Sequence, residues 1–371
     1  MNNPWASKDD PYALAPLDLR GTSQEFRLLE LQPGRLSNPI KCSTRIYSLH
    51  WRLPAFTALS YTWGSVIASI DIELNGLPFS VGRNLWSFLQ EMRSQNQYGL
   101  YWIDAICINQ SSEYERSHQI LIMRRIYREA ISVSIWLGDF YDLSYLNHGM
   151  EFLIERTPNP SLVEKEAEFG TEPQANGVIE LCAKRYWRRV WIIQEVMLAR
   201  ECTIWCGNMR TDLGSLWALV NQVRSWYQHF TGSHLRFPRT LLESPAAIIV
   251  FARAEHYHCY QSAENSGQRK PAPLMGLLEM YRHQEATNVL DKVYALHGLA
   301  HDAEDIEIDY SISPEGLAMK LLRHACRTMD TFIELVERRK QLMEIGEMLA
   351  EVLNVKWSKD EIRFGVTLID D

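Results

Sequence analysis

Apolar residues recur along this chain with two periods, and the switch between them sets the expected architecture. Between residues 46 and 210, short apolar runs alternate with segments of helical spacing. FTALSYTWG is a β-rich run that ends at Gly64. IDIELNGLPFSVG predicts a hairpin, with Asn75-Gly76 supplying the positive φ angles of a tight turn. NLWSFLQEM then sets Leu85, Trp86, Leu89 and Met92 on one helical face. YGLYWIDAICI and ISVSIWLG are apolar on both faces, the first until Asp104, as central strands of a parallel sheet are. Between them Ser112 and Glu115 spell a capping box. The helix it opens carries Met123, Ile126, Tyr127 and Ala130 at 3-4-7 spacing. The charged, Pro-containing residues 139–175 predict an insertion or loop. GVIELCAKRYWRRVWIIQEVMLA predicts one strong helix, and ECTIWCG a strand after it.

The order is βαβα, so residues 46–210 are expected to form an α/β sheet with helices on its faces. Residues 1–45, rich in Pro, Asn, Ser and Asp, predict an arm with one short strand, EFRLLELQPG, that runs into the Pro33-Gly34 turn. From 211 to 371 strand signals fade. LWALVNQVRSWYQHF, PAAIIVFARAEHYHCY, LMGLLEMYRHQEA, KVYALHGL and the long run from Gly316 to Leu353 all predict helices, with SAENSGQRKPAP a loop between two of them.

Composition narrows the class. The 371 residues hold 38 Lys+Arg against 46 Asp+Glu, a net charge of −8, and 46% are apolar against 23% charged. Disordered, collagen-like and rod-like chains are excluded. An acidic chain is a poor general nucleic-acid binder, because neutralising phosphates takes a basic surface. The 7 cysteines are too sparse for a disulfide scaffold and predict buried, reduced thiols. The N-terminal stretch lacks the basic and apolar regions of a signal peptide, and no apolar run approaches the roughly 20 residues that span a bilayer. A protein of the cytoplasm is expected.

Among residues able to do chemistry, Glu195 is the most informative. It sits within a predicted helix, and its neighbours three and four positions away are Trp191, Ile192, Leu198 and Ala199, none able to pair with it. A carboxylate on such a face needs a partner across a cleft. It serves either a catalytic site or a structural bond to backbone, Arg188 or Arg189. Asp104 ends a buried strand, where open α/β sheets bind ligands, and Asn109 and Gln110 follow it. Asp104 can equally cap its own turn. Ser60, Tyr61, Trp63 and Gly64 end the first core strand; the aromatics can stack a planar base or simply fill the core. Cys202, Cys206, His256, His258 and Cys259 match no zinc spacing, His118 and His148 have no partners at ligand spacing, and Cys107 reads as an inert core thiol. No metal and no bound cofactor are expected, and no glycine-rich phosphate loop is present.

Four segments in order, ALSYTWG, YWIDAICINQ, ERSHQILIMRRIYREAISVSIWLG and RRVWIIQEV, resemble the fungal heterokaryon-incompatibility (HET) domain. ATNVLDKVYALHGLA and IDYSISPEGLAMKLLRHA resemble segments that follow the HET core, so the likeness covers about 25 to 326. The resemblance implies non-self recognition between fungal individuals that ends in programmed cell death. HET domains are in turn remotely similar to TIR domains, which implies a TIR-like or flavodoxin-like, mostly parallel sheet. It also implies a catalytic role for Glu195, four residues after Trp191, in cleaving the nicotinamide–ribose bond of NAD. On that analogy Ser60, Tyr61, Trp63, Gly64, Asp104, Asn109, Gln110 and Trp191 line the substrate site. A fold-level analogy does not fix a function, and a non-catalytic signalling module that kills through a partner is the alternative. An ordinary metabolic enzyme is a third class, disfavoured because no cofactor fingerprint appears. With no nucleotide-binding oligomerisation domain or repeat sensor in the sequence, activation is expected from self-association or from a separate incompatibility protein. Neither a nucleic-acid partner nor a membrane span is expected.

Overall fold

The apolar runs assemble into a nine-stranded sheet. The computed structural model describes residues 10–20, 22–64, 69–139, 145–156, 171–229, 236–266, 272–329 and 335–370. Its strands are β1 (Glu25–Leu31), β2 (Lys41–Ser48), β3 (Thr57–Tyr61), β4 (Ser69–Leu74), β5 (Leu77–Gly82), β6 (Leu100–Trp102), β7 (Ser132–Trp136), β8 (Cys202–Cys206) and β9 (Met209–Asp212), in the order β5-β4-β2-β1-β6-β3-β7-β8-β9. The four neighbours β6, β3, β7 and β8 are mutually parallel. Numbered along the chain, their spatial order is second, first, third, fourth, the flavodoxin-like order of a doubly wound sheet. β1 runs antiparallel to both β2 and β6, β4 and β5 form the hairpin, and β9 folds back on β8, so the sheet is mixed outside its parallel centre. At the hairpin tip Asn75 and Gly76 take φ of 54° and 83°, the geometry of a primed turn.

The N-terminal arm contributes more than one short strand. β1 pairs along its whole length with β2, from Glu25↔Ser48 to Leu31↔Cys42, and Phe26, Leu28 and Leu29 are fully buried. The polar flanking sequence hides this because β2, though flanked by β1 and β4, buries little of itself beyond Cys42.

Helices α1 (Arg83–Ser94), α2 (Asp104–Cys107), α3 (Glu113–Glu129), α4 (Leu146–Arg156), α5 (Glu172–Ala183), α6 (Trp191–Met197), α7 (Leu213–His229), α8 (Arg236–Leu242) and α9 (Pro245–Ser266) follow or connect these strands. YGLYWIDAICI is not a single strand: β6 is three residues long, and Asp104–Cys107 turn into α2. A short apolar run does not declare its period, so strand and helical turn look alike in it. The stretch 139–175 is not simply a loop either. It contains α4, which crosses α5 where Gly149 meets Gly177; a β-carbon at Gly177 would overlap the Tyr145 carbonyl and the Gly149 backbone. The predicted long helix from Gly177 to Ala199 breaks into α5, a 3-10 turn (Arg185–Arg188) and α6. Between them the Val190 amide donates to Glu285 O at 2.9 Å and the Glu285 amide to Arg188 O at 2.6 Å. Backbone committed to an extended bridge cannot stay helical.

The chain divides into two compact units, Met1–Trp187 with Glu195–Ala254, and Arg188–Gln194 with Glu255–Asp371. The whole sheet belongs to the first, with Trp102, Trp136, Tyr127, Phe26, Phe56 and Phe88 among its fully buried side chains. Phe88 meets Trp136 edge-on at 5.7 Å, and Trp102 meets Tyr127 at 5.2 Å. The second unit is helical among its described residues: α10 (Leu274–Met280), α11 (Asp291–His297), α12 (Pro314–Thr328), α13 (Leu335–Val352) and α14 (Lys359–Asp370). Ser313 Oγ caps α12 by accepting from the Gly316 amide, with Pro314 at the first helical position. His324, on α12, lies 3.3 Å from Asp302 Oδ2 and 3.0 Å from Asp305 Oδ1. The predicted loop SAENSGQRKPAP is helical to Ser266, and 267–271 lie outside the described residues. No helix among the described residues is long and apolar enough to cross a membrane.

Candidate functional site

In an open parallel sheet the ligand crevice forms beyond the carboxyl ends of the strands, where the winding reverses. Here that point lies between β3 and β7, paired from Thr57↔Ser132 to Tyr61↔Trp136. Gly64 and Gly138 just beyond the two strands take φ of 79° and 93°, and each lets the chain turn off the sheet at once. Asn84, in the first turn of α1, ties the two ends together. Its Nδ2 donates to Thr62 O at 2.6 Å, and its Oδ1 accepts from the buried Trp136 indole at 2.8 Å. Sequence reasoning missed Asn84; the one signal was a buried tryptophan whose N–H needs an acceptor.

Glu195 and Ser60, 135 positions apart, meet. Ser60 Oγ donates to Glu195 Oε2 and lies 2.6 Å from the Tyr186 hydroxyl. A serine hydroxyl has one proton, so with that proton on Glu195 the tyrosine donates to the serine. Glu195 is 3% exposed and Ser60 1%. Tyr186, unremarked in the sequence, comes from the 3-10 turn that replaces the predicted helix. Trp187, eight residues before Glu195, donates its indole N–H to Leu181 O at 2.9 Å.

A second group stands at the ends of β3 and β6. Trp63 is 45% exposed, and its indole N–H donates to Asp104 Oδ2 at 3.0 Å. Asp104 Oδ1 accepts from the Ala105 amide at 2.7 Å, so the carboxylate also caps α2, and its backbone carbonyl accepts from Gln110 Nε2 at 2.9 Å. Tyr61 is buried at 3% and faces the core. Asn109 is spent locally: its Oδ1 accepts from the Ser111 amide at 3.1 Å. Trp191 belongs to the segment that groups with the second unit and is half-buried.

The loop that carries Asn109 and Gln110 is fixed from below by an ion pair the sequence did not announce. Arg27 on β1, 1% exposed, reaches Glu115 on α3 with its Nη1 2.6 Å from Oε1 and Nη2 3.2 Å from Oε2. It donates further to Ala15 O at 2.7 Å and Cys107 O at 3.0 Å. Its guanidinium also lies 4.9 Å over the Tyr12 ring, whose hydroxyl donates to Ile108 O at 3.2 Å. Glu115 Oε1 takes the Asn109 amide as well, at 2.6 Å. Ser112 Oγ does accept from the Glu115 amide at 3.2 Å, but the other half of the expected capping box is replaced by this ion pair.

The six described cysteines are free and buried. Burial pushes the Cys107 thiol up to about 12, far from a nucleophile's range. Among the described residues no group of three or more His, Cys, Asp or Glu is placed to hold a metal ion; the side chains of His256, His258 and Cys259 lie outside them. An open cleft lined by Ile154, Thr203, Arg210, Thr211 and Asp212 holds none of the candidate residues.

Fold and site together define a doubly wound α/β protein whose polar groups gather where the winding reverses. Residues 56–195 match the family model described as Heterokaryon incompatibility protein (HET). The match runs from just before β3 to Glu195 itself. Heterokaryon incompatibility protein 6, OR allele, from Neurospora crassa is 27% identical over 355 residues, covering 80% of this chain and 50% of that protein. The chain therefore spans about half the length of the curated relative it matches. No solved structure matches significantly.

Proposed function

We propose that this chain acts in heterokaryon incompatibility, in non-self recognition that ends in cell death, and that its HET domain does so by hydrolysing NAD at the nicotinamide–ribose bond. The observation that carries the reading is the Glu195 carboxylate, buried and held by Ser60 from the first strand of the parallel centre. Breaking that bond sends its electron pair to the pyridinium nitrogen, so nicotinamide leaves neutral and needs no acid. The ribose is left as an oxocarbenium ion, which water captures to give ADP-ribose and a proton. A carboxylate preorganised by hydrogen bonds stabilises that cation as it forms. Trp63 offers a face for a planar ring, Asp104 and Gln110 fix the loop beside it, and Gly64 lets substrate approach the backbone. In this reading a partner protein or self-association turns the activity on.

Nicotinamide release from NAD by the purified chain is the test. Glu195→Gln is expected to lower it by about 100-fold or more, with Ser60→Ala intermediate and both variants folded. The low exposure of Glu195 favours one other reading, a non-catalytic module in which the Ser60–Glu195 contact is structural. Absence of turnover at high protein concentration, with wild type and Glu195→Gln equally toxic when overexpressed in a fungal host, would establish that module instead.

A further inference from the structure

An exposed tryptophan usually wanders among rotamers; Trp63 does not have that freedom. Its indole N–H is held by Asp104 Oδ2, and Asp104 is itself fixed through Oδ1 at the start of α2. One edge of the ring is thus tied down while nearly half of the residue faces solvent at the carboxyl ends of β3 and β6. A ring presented in this way has already lost the entropy that binding would otherwise cost. Donation of the N–H to a carboxylate also adds electron density to the indole, strengthening its attraction for a cation over its face.

We propose that Trp63 and Asp104 form a cation-selective platform, on which a planar ring carrying a positive charge binds in preference to the same ring uncharged. Resting on the hydrolysis reading above, this makes the pyridinium of oxidised NAD the moiety that is recognised and gives the reduced, uncharged dihydropyridine the weaker fit. Trp63 determines specificity and Asp104 is a positioning residue acting through it. Neither role requires Glu195.

The probes are 1-methylnicotinamide, a fixed pyridinium cation that offers no ribose bond to cleave, and nicotinamide, its neutral counterpart. The full chain is labelled with 5-fluorotryptophan, the Trp63 resonance is assigned by Trp63→Phe, and both compounds are titrated by fluorine NMR. A cation–π contact of about 0.5–2 kcal/mol corresponds to a preference of roughly 2- to 30-fold. The expected result is a saturable shift of the Trp63 resonance, at several-fold lower concentration for the cation than for nicotinamide. Asp104→Asn should shrink that ratio toward one, and Trp63→Leu, followed by saturation transfer to the ligand's own proton signals, should abolish binding, with the remaining fluorotryptophan signals unmoved as evidence of folding. Equal affinity for the two compounds, or a ratio unchanged in Asp104→Asn, overturns the platform. A chain that prefers the cation at Trp63 yet releases no nicotinamide from NAD loses the hydrolysis reading and keeps the platform. A chain that hydrolyses NAD with unaltered KM in Trp63→Leu does the reverse.

Discussion

The Arg27–Glu115 pair offers the most demanding test of how the loop beside Asp104 is built. Both side chains are nearly inaccessible, at 1% and 7%, and the guanidinium serves the carboxylate and two backbone carbonyls at once. Removing either charge leaves the other stranded where water cannot reach it, which costs about 3–5 kcal/mol. Against a typical domain stability of about 5–15 kcal/mol, that is a large fraction. Replacing both, as Arg27→Met with Glu115→Leu, removes the stranded charge. It leaves the carbonyls of Ala15 and Cys107 without their donor and the Asn109 amide without its acceptor, at roughly 1 kcal/mol each. The double variant should therefore sit about 3 kcal/mol below wild type, well short of the roughly 6–10 kcal/mol that the two single losses would sum to, so the single losses do not add. Urea unfolding, with hydrogen exchange of the β1 and α3 amides reporting on the first unit, measures all four corners of the cycle. Single variants within about 1 kcal/mol of wild type, or losses that sum in the double variant, would refute the assignment of the pair as the loop's anchor.

Further outcomes follow from packing and burial. Gly177→Ala forces a methyl into the backbone of α4 and should destabilise the first unit by more than the roughly 1–3 kcal/mol of ordinary overpacking. Gly276→Ala, on an exposed position of α10 with its nearest neighbour 3.6 Å away, should be neutral or stabilising by about 0.5 kcal/mol in the same urea assay. Burial raises Cys42, Cys107 and Cys182 from 9.0 to about 12, and Cys202 and Cys206 to about 11. A raised folded value means stability complete below pH 9 and lost as pH climbs toward 11–12, by roughly 1 kcal/mol per thiol per pH unit. The melting temperature should fall steeply above pH 9, and iodoacetamide at pH 8 should label these thiols in urea but not in the native chain. A flat profile from pH 9 to 11 would contradict their burial.

What was legible in the sequence was local. The hairpin at Asn75-Gly76, the strands ending at Gly64 and Gly138 and the Ser112 cap each follow from a few adjacent residues. The candidate polar site was legible in its parts, since Ser60, Asp104 and Glu195 each stand out as polar misfits in an apolar stretch. Their pairing was not, because Ser60–Glu195 and Trp63–Asp104 are contacts across 135 and 41 positions. Asn84 and Tyr186 went unseen for a different reason: each looks ordinary in its own helix-like stretch, and only the strand end it meets gives it a role. Glu115 misled because its position fits a capping box, whereas a buried arginine makes a stronger claim on a carboxylate than a backbone amide does.

The broken helix before Glu195 shows how much turns on such a long-range event. In one uninterrupted helix Glu195 would follow Trp187 by eight residues, roughly 80° further round the axis at about 100° per residue. The two side chains would then share a face and crowd a single surface. The structure uses them apart: Trp187 secures the end of α5 through Leu181 O, while Glu195 meets Ser60. The 3-10 turn that ends at Arg188 and the Arg189 bridge to Glu285 reset the helical phase between them. Helical periodicity therefore singled out Glu195 on the premise of one continuous helix, which the structure does not have. The helix that carries Glu195 is seven residues long, and the Glu195 side chain reaches Ser60 on the sheet.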